Sequence, residues 1–145
     1  MRFIVAKHMG FCAGVMRAVN TAYEMAESGQ KCSTLGKLIH NSQVIENLAE
    51  KSVGVIENLE EWQGEDVIIR AHGIPFFVEK EMQERGISYI DRTCPHVKTI
   101  QKLAEECKTL GRSLIMLGDP THPEVIGVLG YAEKDAIAVA SEAYL

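Results

Sequence analysis

The 145-residue sequence lacks any apolar run long enough to cross a membrane, which excludes a transmembrane helix. Its opening residues, MRFIVAKH, are too short for a secretory signal, so a cytoplasmic setting is expected. Basic charge is not in excess. The 15 Lys and Arg stand against 20 Asp and Glu, and the net charge of -5 argues against nucleic acid as the main partner, leaving room only for a local basic pocket. Cysteines are few: the four, at 12, 32, 94 and 107, lack the density of a small secreted disulfide scaffold, and metal or catalytic use fits them better. No low-complexity segment and no internal repeat is present. What remains, 46% apolar and 24% charged, suits one globular domain or one and a half small ones.

Strand-like and helix-like runs alternate along the chain. Phe3–Ala6 reads as a strand, and Val15, Met16, Val19, Ala22, Met25 and Ala26 recur near helical spacing. "CSTLGKLIHN" reads as a strand ending near Ile39, followed by a helix capped by Asn41 or Ser42. "VGVI" is a short strand, "NLEEW" a short helix, and "DVIIR" an apolar strand stopping at Arg70. Pro75 opens a helix that Gly86 closes, "ISYI" is a strand, and Pro95 opens a helix through Leu110. "SLIML", a helix from Pro123 and "AIAVA" complete the alternation. Short links between such elements imply an α/β fold, with parallel sheets carrying helices on both faces. Residues 1–92 are expected to form a complete first unit and residues 93–145 the start of a second that is cut short, with Ser141 and Glu142 opening a further helix.

"HMGFCAGVMRAV" places Cys12 between two glycines where a strand should hand over to a helix. A cysteine there is either a small buried hydrophobe or a thiolate favoured by the helix N-terminus, and its position favours the second. His40, His72, Cys94 and His122 likewise follow strand ends, the edge of a parallel sheet where ligands bind. Two soft thiolates suit zinc or an iron–sulfur cluster, and imidazoles beside helix N-termini suit phosphate oxygens. Glu124, two residues after His122, can pass protons at the same edge or simply complement a helix dipole. Cys32 lies about 25 Å from Cys12 and Cys107 about 20 Å from Cys94 at roughly 1.5 Å of helix rise per residue, so neither readily joins Cys12 and Cys94 at one metal; Cys107 reads as a packing residue and Cys32 as structural. His8 and His96 stay ambiguous.

Taken in order, "GFCAGVMRAV", "LIHN", "RAHG", "DRTCPHV" and "THPEVIG" resemble the signature of the LytB (IspH) family, from about residue 2 to residue 130. The family is hydroxymethylbutenyl diphosphate reductase, the last enzyme of the non-mevalonate isoprenoid pathway. The resemblance implies a three-lobed, pseudo-threefold α/β protein around a [4Fe-4S] cluster held by three cysteines, two of them matched by Cys12 and Cys94. It implies that His40 and His72 bind the substrate diphosphate, that His122 sits near its hydroxyl group and the proton route, and that Glu124 relays protons. An allylic diphosphate substrate and a ferredoxin- or flavodoxin-type electron donor follow as partners.

Arg92 and His96 depart from the family pattern, standing where a small and an aliphatic residue are expected. The resemblance also places the third cysteine ligand and the serine–asparagine part of the diphosphate pocket beyond residue 145, so the chain is expected to be the amino-terminal half of such an enzyme and inactive alone. Two other readings remain open at this level. "GFCAG" fits the nucleophile elbow of a hydrolase with cysteine in place of serine. Cys12, Cys94 and a histidine also suit a zinc- or phosphate-binding module without catalysis.

Overall fold

The computed structural model describes residues 2–7 and 9–141. His8 and Glu142 therefore lie outside the described residues. Eleven regular elements alternate: α1 (Ala13–Glu27), β1 (Cys32–Leu35), α2 (Ser42–Glu50), β2 (Val53–Ile56), β3 (Asp66–Ile69), α3 (Phe76–Glu84), β4 (Tyr89–Asp91), α4 (Pro95–Thr109), β5 (Leu114–Leu117), α5 (Pro123–Ala132) and β6 (Ala136–Val139). Local chemistry sets their ends. The Asn41 side chain accepts from the Val44 amide at the start of α2. Pro95 and Pro123 open α4 and α5, where a missing amide hydrogen costs nothing. "NLEEW" forms a single 3-10 turn, Leu59–Glu61, capped by Asn58.

Four strands form one sheet in the order β2-β1-β3-β4, and every pairing is parallel. Successive residues of β3 face opposite ways: Ile68 joins a core with Ala18, Ala22 and Leu48 of α1 and α2, whereas Val67 and Ile69 join one with Met82 of α3. Helices thus cover both faces, as expected of a parallel sheet. β5 and β6 form a separate two-stranded parallel sheet. Its Leu114, Met116 and Ala136 pack with Val128 and Ala132 of α5, while Ile115, Leu117 and Ile137 on the other side are exposed.

Two expected strand assignments are corrected. Phe3–Ala6 pairs with nothing among the described residues, and Phe3 and Ile4 are each 82% exposed. Strand propensity reports fitness for a pleated, half-buried surface, and among the described residues no neighbour supplies one to this segment. β1 stops at Leu35, short of Ile39, because Gly36 turns the chain at φ +70° and its amide donates to the Ile56 carbonyl. Leu38 and Ile39 are buried all the same, as loop residues pinned into the α1–α2 core.

The second sheet is tied to the first through α5. A Cβ added at Gly130 would lie 2.5 Å from Pro75 Cβ, so only glycine permits this approach of α5 to the loop before α3. The Tyr131 and Tyr89 hydroxyls both donate to the Glu79 carboxylate, at 3.0 and 3.2 Å. Burial and that carboxylate raise the Tyr131 phenol far above its ordinary range, so it stays a donor.

Candidate functional site

Cys12 and Cys94 are the N-cap residues of α1 and α4, and neither side chain is spent on capping. Cys94 is placed by backbone: its amide donates to the Ala71 carbonyl at 2.9 Å, fixing the start of α4 beside the loop after β3. Its Sγ lies against α1, only 2.8 Å from where a Cβ on Gly14 would stand. Gly14 is in the first turn of the helix that Cys12 caps, so the two thiols share one corner of the molecule. Cys12 is exposed and Cys94 half-buried. Cys12 is corrected in one respect: it follows no strand, since Phe3–Ala6 forms none.

Three histidines meet in a row. His40 follows the β1 loop, His72 the end of β3, and His122 caps α5. The His40 and His72 ring centroids are 5.8 Å apart, and the His72 and His122 centroids are also 5.8 Å apart, both edge-on. The central ring is half-buried, and its Nδ1 is buried without a hydrogen-bond partner. Burial, then the charges of Arg70, His122 and His40, lower the His72 pKa below the usual histidine value. A neutral imidazole with an unpartnered ring nitrogen, between two more imidazoles, is a donor set suited to phosphate oxygens.

His122 also fixes its own tautomer. The Glu124 amide donates to His122 Nδ1 at 3.2 Å, which assigns the proton of the neutral ring to Nε2. Nε2–H is then the group free to act as a donor. Glu124 itself is half-buried in the first turn of α5, next to that ring.

Cys32 is buried at the amino end of β1, the opposite end of the sheet from the histidines, and burial raises its thiol pKa. Cys107 lies inside α4. Cys32 is part of the core on the α1–α2 side of the sheet, whereas Cys107 is half-buried. Of the two departures from the family pattern, Arg92 donates through Nε to Thr21 Oγ1 at 2.6 Å and so ties β4's end to α1, while His96 is exposed.

Sequence reasoning passed over Arg70, Gly36 and Gln101. Arg70 rests on Gly36 and is taken up below. Gln101 of α4 is 2% exposed, and its Nε2 donates to the Ile74 carbonyl at 3.4 Å beneath the loop that carries His72. A cation closing an apolar strand ("DVIIR") was the signal available for Arg70.

Among the described residues, no group of three or more His, Cys, Asp or Glu is close enough to hold a metal ion. The two thiols fit an iron–sulfur cluster by donor chemistry and by their shared corner, but they supply two ligands only. A zinc site of Cys12, Cys94 and a histidine lacks its third ligand on the same count. The hydrolase elbow lacks the strand it must follow. No helix among the described residues is long and apolar enough to cross a membrane.

A family model described as LytB protein matches residues 3–145. The chain is similar to the 4-hydroxy-3-methylbut-2-enyl diphosphate reductase of Alkaliphilus oremlandii, 42% identical over 144 residues, covering 98% of this chain and 52% of that protein. It is also similar to the same reductase of Thermoanaerobacter sp. strain X514, 44% identical over 151 residues, covering 99% and 52%. Among solved structures, a reductase described as the terminal enzyme of the non-mevalonate pathway superposes with a TM-score of 0.81 at 39% identity, covering 97% of this chain and 52% of the other. The Plasmodium falciparum reductase superposes with a TM-score of 0.85 at 28% identity, covering 93% and 43%. The chain thus spans about half the length of the curated relatives it matches.

Proposed function

Because the chain belongs to the LytB protein family, we propose that it provides the diphosphate clamp and two cluster thiolates of a 4-hydroxy-3-methylbut-2-enyl diphosphate reductase. The observation that carries this reading is the row of three imidazoles, His40, His72 and His122, at 5.8 Å spacing, at the strand ends from which the Cys94 helix also starts. The net reaction replaces the allylic C–OH bond by C–H, consuming two electrons and two protons and releasing water, with isopentenyl and dimethylallyl diphosphates as products. We take the molecule to be one of three-lobed, pseudo-threefold architecture, with residues 1–92 as the first lobe and the second beginning at residue 93. We also take it to work in the cytoplasm with a ferredoxin- or flavodoxin-type electron donor.

Cys12 and Cys94 would hold a [4Fe-4S] cluster together with a ligand from outside the described residues. When bound, that cluster supplies the electrons and a Lewis acid for the hydroxyl group. The rest belongs to this chain's side chains. His40 and His72 bind the diphosphate, fixing the allylic end of the substrate in one direction. His72 enters this role neutral, and the arriving anion favours its protonation, which turns a neutral hydrogen bond into a charge-assisted one. His122 donates through Nε2–H toward the hydroxyl end, its ring held by the Glu124 amide. Glu124 holds the proton that the leaving water needs and refills from solvent.

Anaerobic reconstitution with iron and sulfide tests the proposal, followed by reductive turnover of the allylic diphosphate with a chemical reductant. Bound iron with matching acid-labile sulfide and formation of isopentenyl diphosphate are expected from the natively expressed protein. Stoichiometric zinc without sulfide, or no metal and no turnover, would overturn it.

A further inference from the structure

Arg70 closes β3 and stands two residues before His72. Its guanidinium lies on the backbone of Gly36: a Cβ there would fall 2.6 Å from Nη1 and 2.8 Å from Cζ. Nη1 donates to the Lys37 carbonyl at 3.2 Å, and Nε is buried with no partner. No carboxylate forms a salt bridge with it among the described residues. Arg70 also borders a cleft shared with Gly36, which opens the loop to His40, and with Gly73 and Pro123, the residues that follow His72 and His122. A half-buried guanidinium with no contact ion pair is costly even with the charge of Glu57 nearby to favour it, and it persists here at the point where three ligand-bearing loops converge.

We propose that Arg70 is the positioning residue of the diphosphate clamp: by lying on Gly36 and bonding the Lys37 carbonyl, it holds the Gly36–His40 loop so that the His40 ring meets the His72 ring. This rests on the function proposed above and adds to it a residue outside the imidazole row. The flat, forked guanidinium suits the task, because one group must cover a glycine backbone and aim a donor at the next carbonyl. Gly36 suits it from the other side, since its φ of +70° and lack of a side chain leave the space that the guanidinium fills.

The test uses the natively expressed protein purified without oxygen, with inorganic pyrophosphate as the probe in calorimetry and histidine ring NMR signals as a second readout. Arg70→Met is expected to weaken pyrophosphate binding by about tenfold or more and to move the His40 ring signals, because His40 loses its contact with His72. Arg70→Lys keeps the charge but not the fork, so it should restore only part of the affinity and leave His40 displaced. Gly36→Ala both displaces the guanidinium and strains a backbone at φ +70°, so it should move the His40 ring signals at least as far as Arg70→Met does. If Arg70→Met does not fold, Arg70→Lys decides the matter. Affinity within about twofold of wild type, with unmoved His40 signals in the variants that fold, overturns the proposal. A wild-type protein that ignores pyrophosphate counts against the proposed function instead. The ring signals then still decide whether Arg70 positions His40.

Discussion

The Cys94 thiol packs against Gly14: an added Cβ at Gly14 would sit 2.8 Å from Sγ and 3.1 Å from Cys94 Cβ. One glycine thus brings together two cysteines that are 82 positions apart in sequence. Gly14→Ala is favourable for an isolated helix by about 1 kcal/mol, so the helix itself should survive. The methyl group must instead displace the Cys94 side chain. Helical circular dichroism close to wild type with several-fold less iron retained after reconstitution is the expected result. Undiminished iron would show that the thiol pair tolerates the shift.

Gly130 plays the same part for His122. A methyl group 2.5 Å from Pro75 Cβ cannot be accommodated without moving α5, and His122 is the N-cap of that helix. Gly130→Ala is expected to cost about 1–3 kcal/mol as overpacking. Affinity for the allylic diphosphate should fall with it, because the imidazole at the hydroxyl end leaves the row, while pyrophosphate binding through His40 and His72 should change less. Thermal melting together with calorimetry separates this from a purely local defect, which would lower the melting temperature and leave affinity alone.

The protonation of His72 links stability, pH and binding. Burial first, then Arg70, His122 and His40, hold its folded pKa below the ordinary 6.5. The unfolded chain therefore binds more protons than the folded one in the interval just below that value. Stability rises with pH through this interval and is lost on acidification through it. His72→Gln should flatten the slope there, measured as the denaturation midpoint against pH. Pyrophosphate binding to the wild-type protein should take up protons near neutral pH, visible as a buffer-dependent calorimetric enthalpy, and His72→Gln should reduce that uptake.

The clamp and the proton source differ in what they cost when removed. His40→Asn and His72→Asn are each expected to weaken substrate binding by about tenfold, the scale of one charge-assisted hydrogen bond. Glu124→Gln should leave binding nearly intact and cut turnover by about 10²–10⁴-fold, as expected for a lost general acid. Equal KM and kcat effects for all three would merge the two roles.

How far the sequence reveals this arrangement depends on the range of the interaction involved. The parallel sheets, the Pro-initiated helices and the Asn41 cap are local signals, and they appear where periodicity and capping chemistry place them. His40, His72 and Cys94 are legible as one group because a parallel sheet gathers its strand ends at one edge, whereas His122 follows a strand of the separate sheet and reaches the row as the N-cap of α5. Phe3–Ala6 looks like a strand in sequence because strand propensity carries no information about whether a partner strand is at hand. The end of β1 is hidden because Leu38 and Ile39 are apolar for burial in a loop, a role that looks like strand in sequence. The contacts of Gly14 with Cys94, Gly36 with Arg70 and Gly130 with Pro75 join distant segments through absent side chains, and nothing local marks which glycines serve that purpose.

On their own, the 145 residues should neither keep a stable cluster nor turn the substrate over. Only two thiols reach the shared corner, Cys32 being at the other end of the sheet and Cys107 within α4. A cluster held by two protein ligands exposes its remaining positions to solvent and is labile, so protein isolated in air should be colourless. The imidazole row is intact, which leaves a weak affinity for pyrophosphate as the residual activity to look for. Ile115, Leu117 and Ile137 present an uncovered apolar face on β5 and β6, and such a face favours self-association. Sedimentation should therefore show concentration-dependent oligomers, and Leu117→Lys should shift them toward monomer. A stable brown protein that makes isopentenyl diphosphate from these residues alone would refute the two-thiol account and require a third ligand from a second copy of the chain.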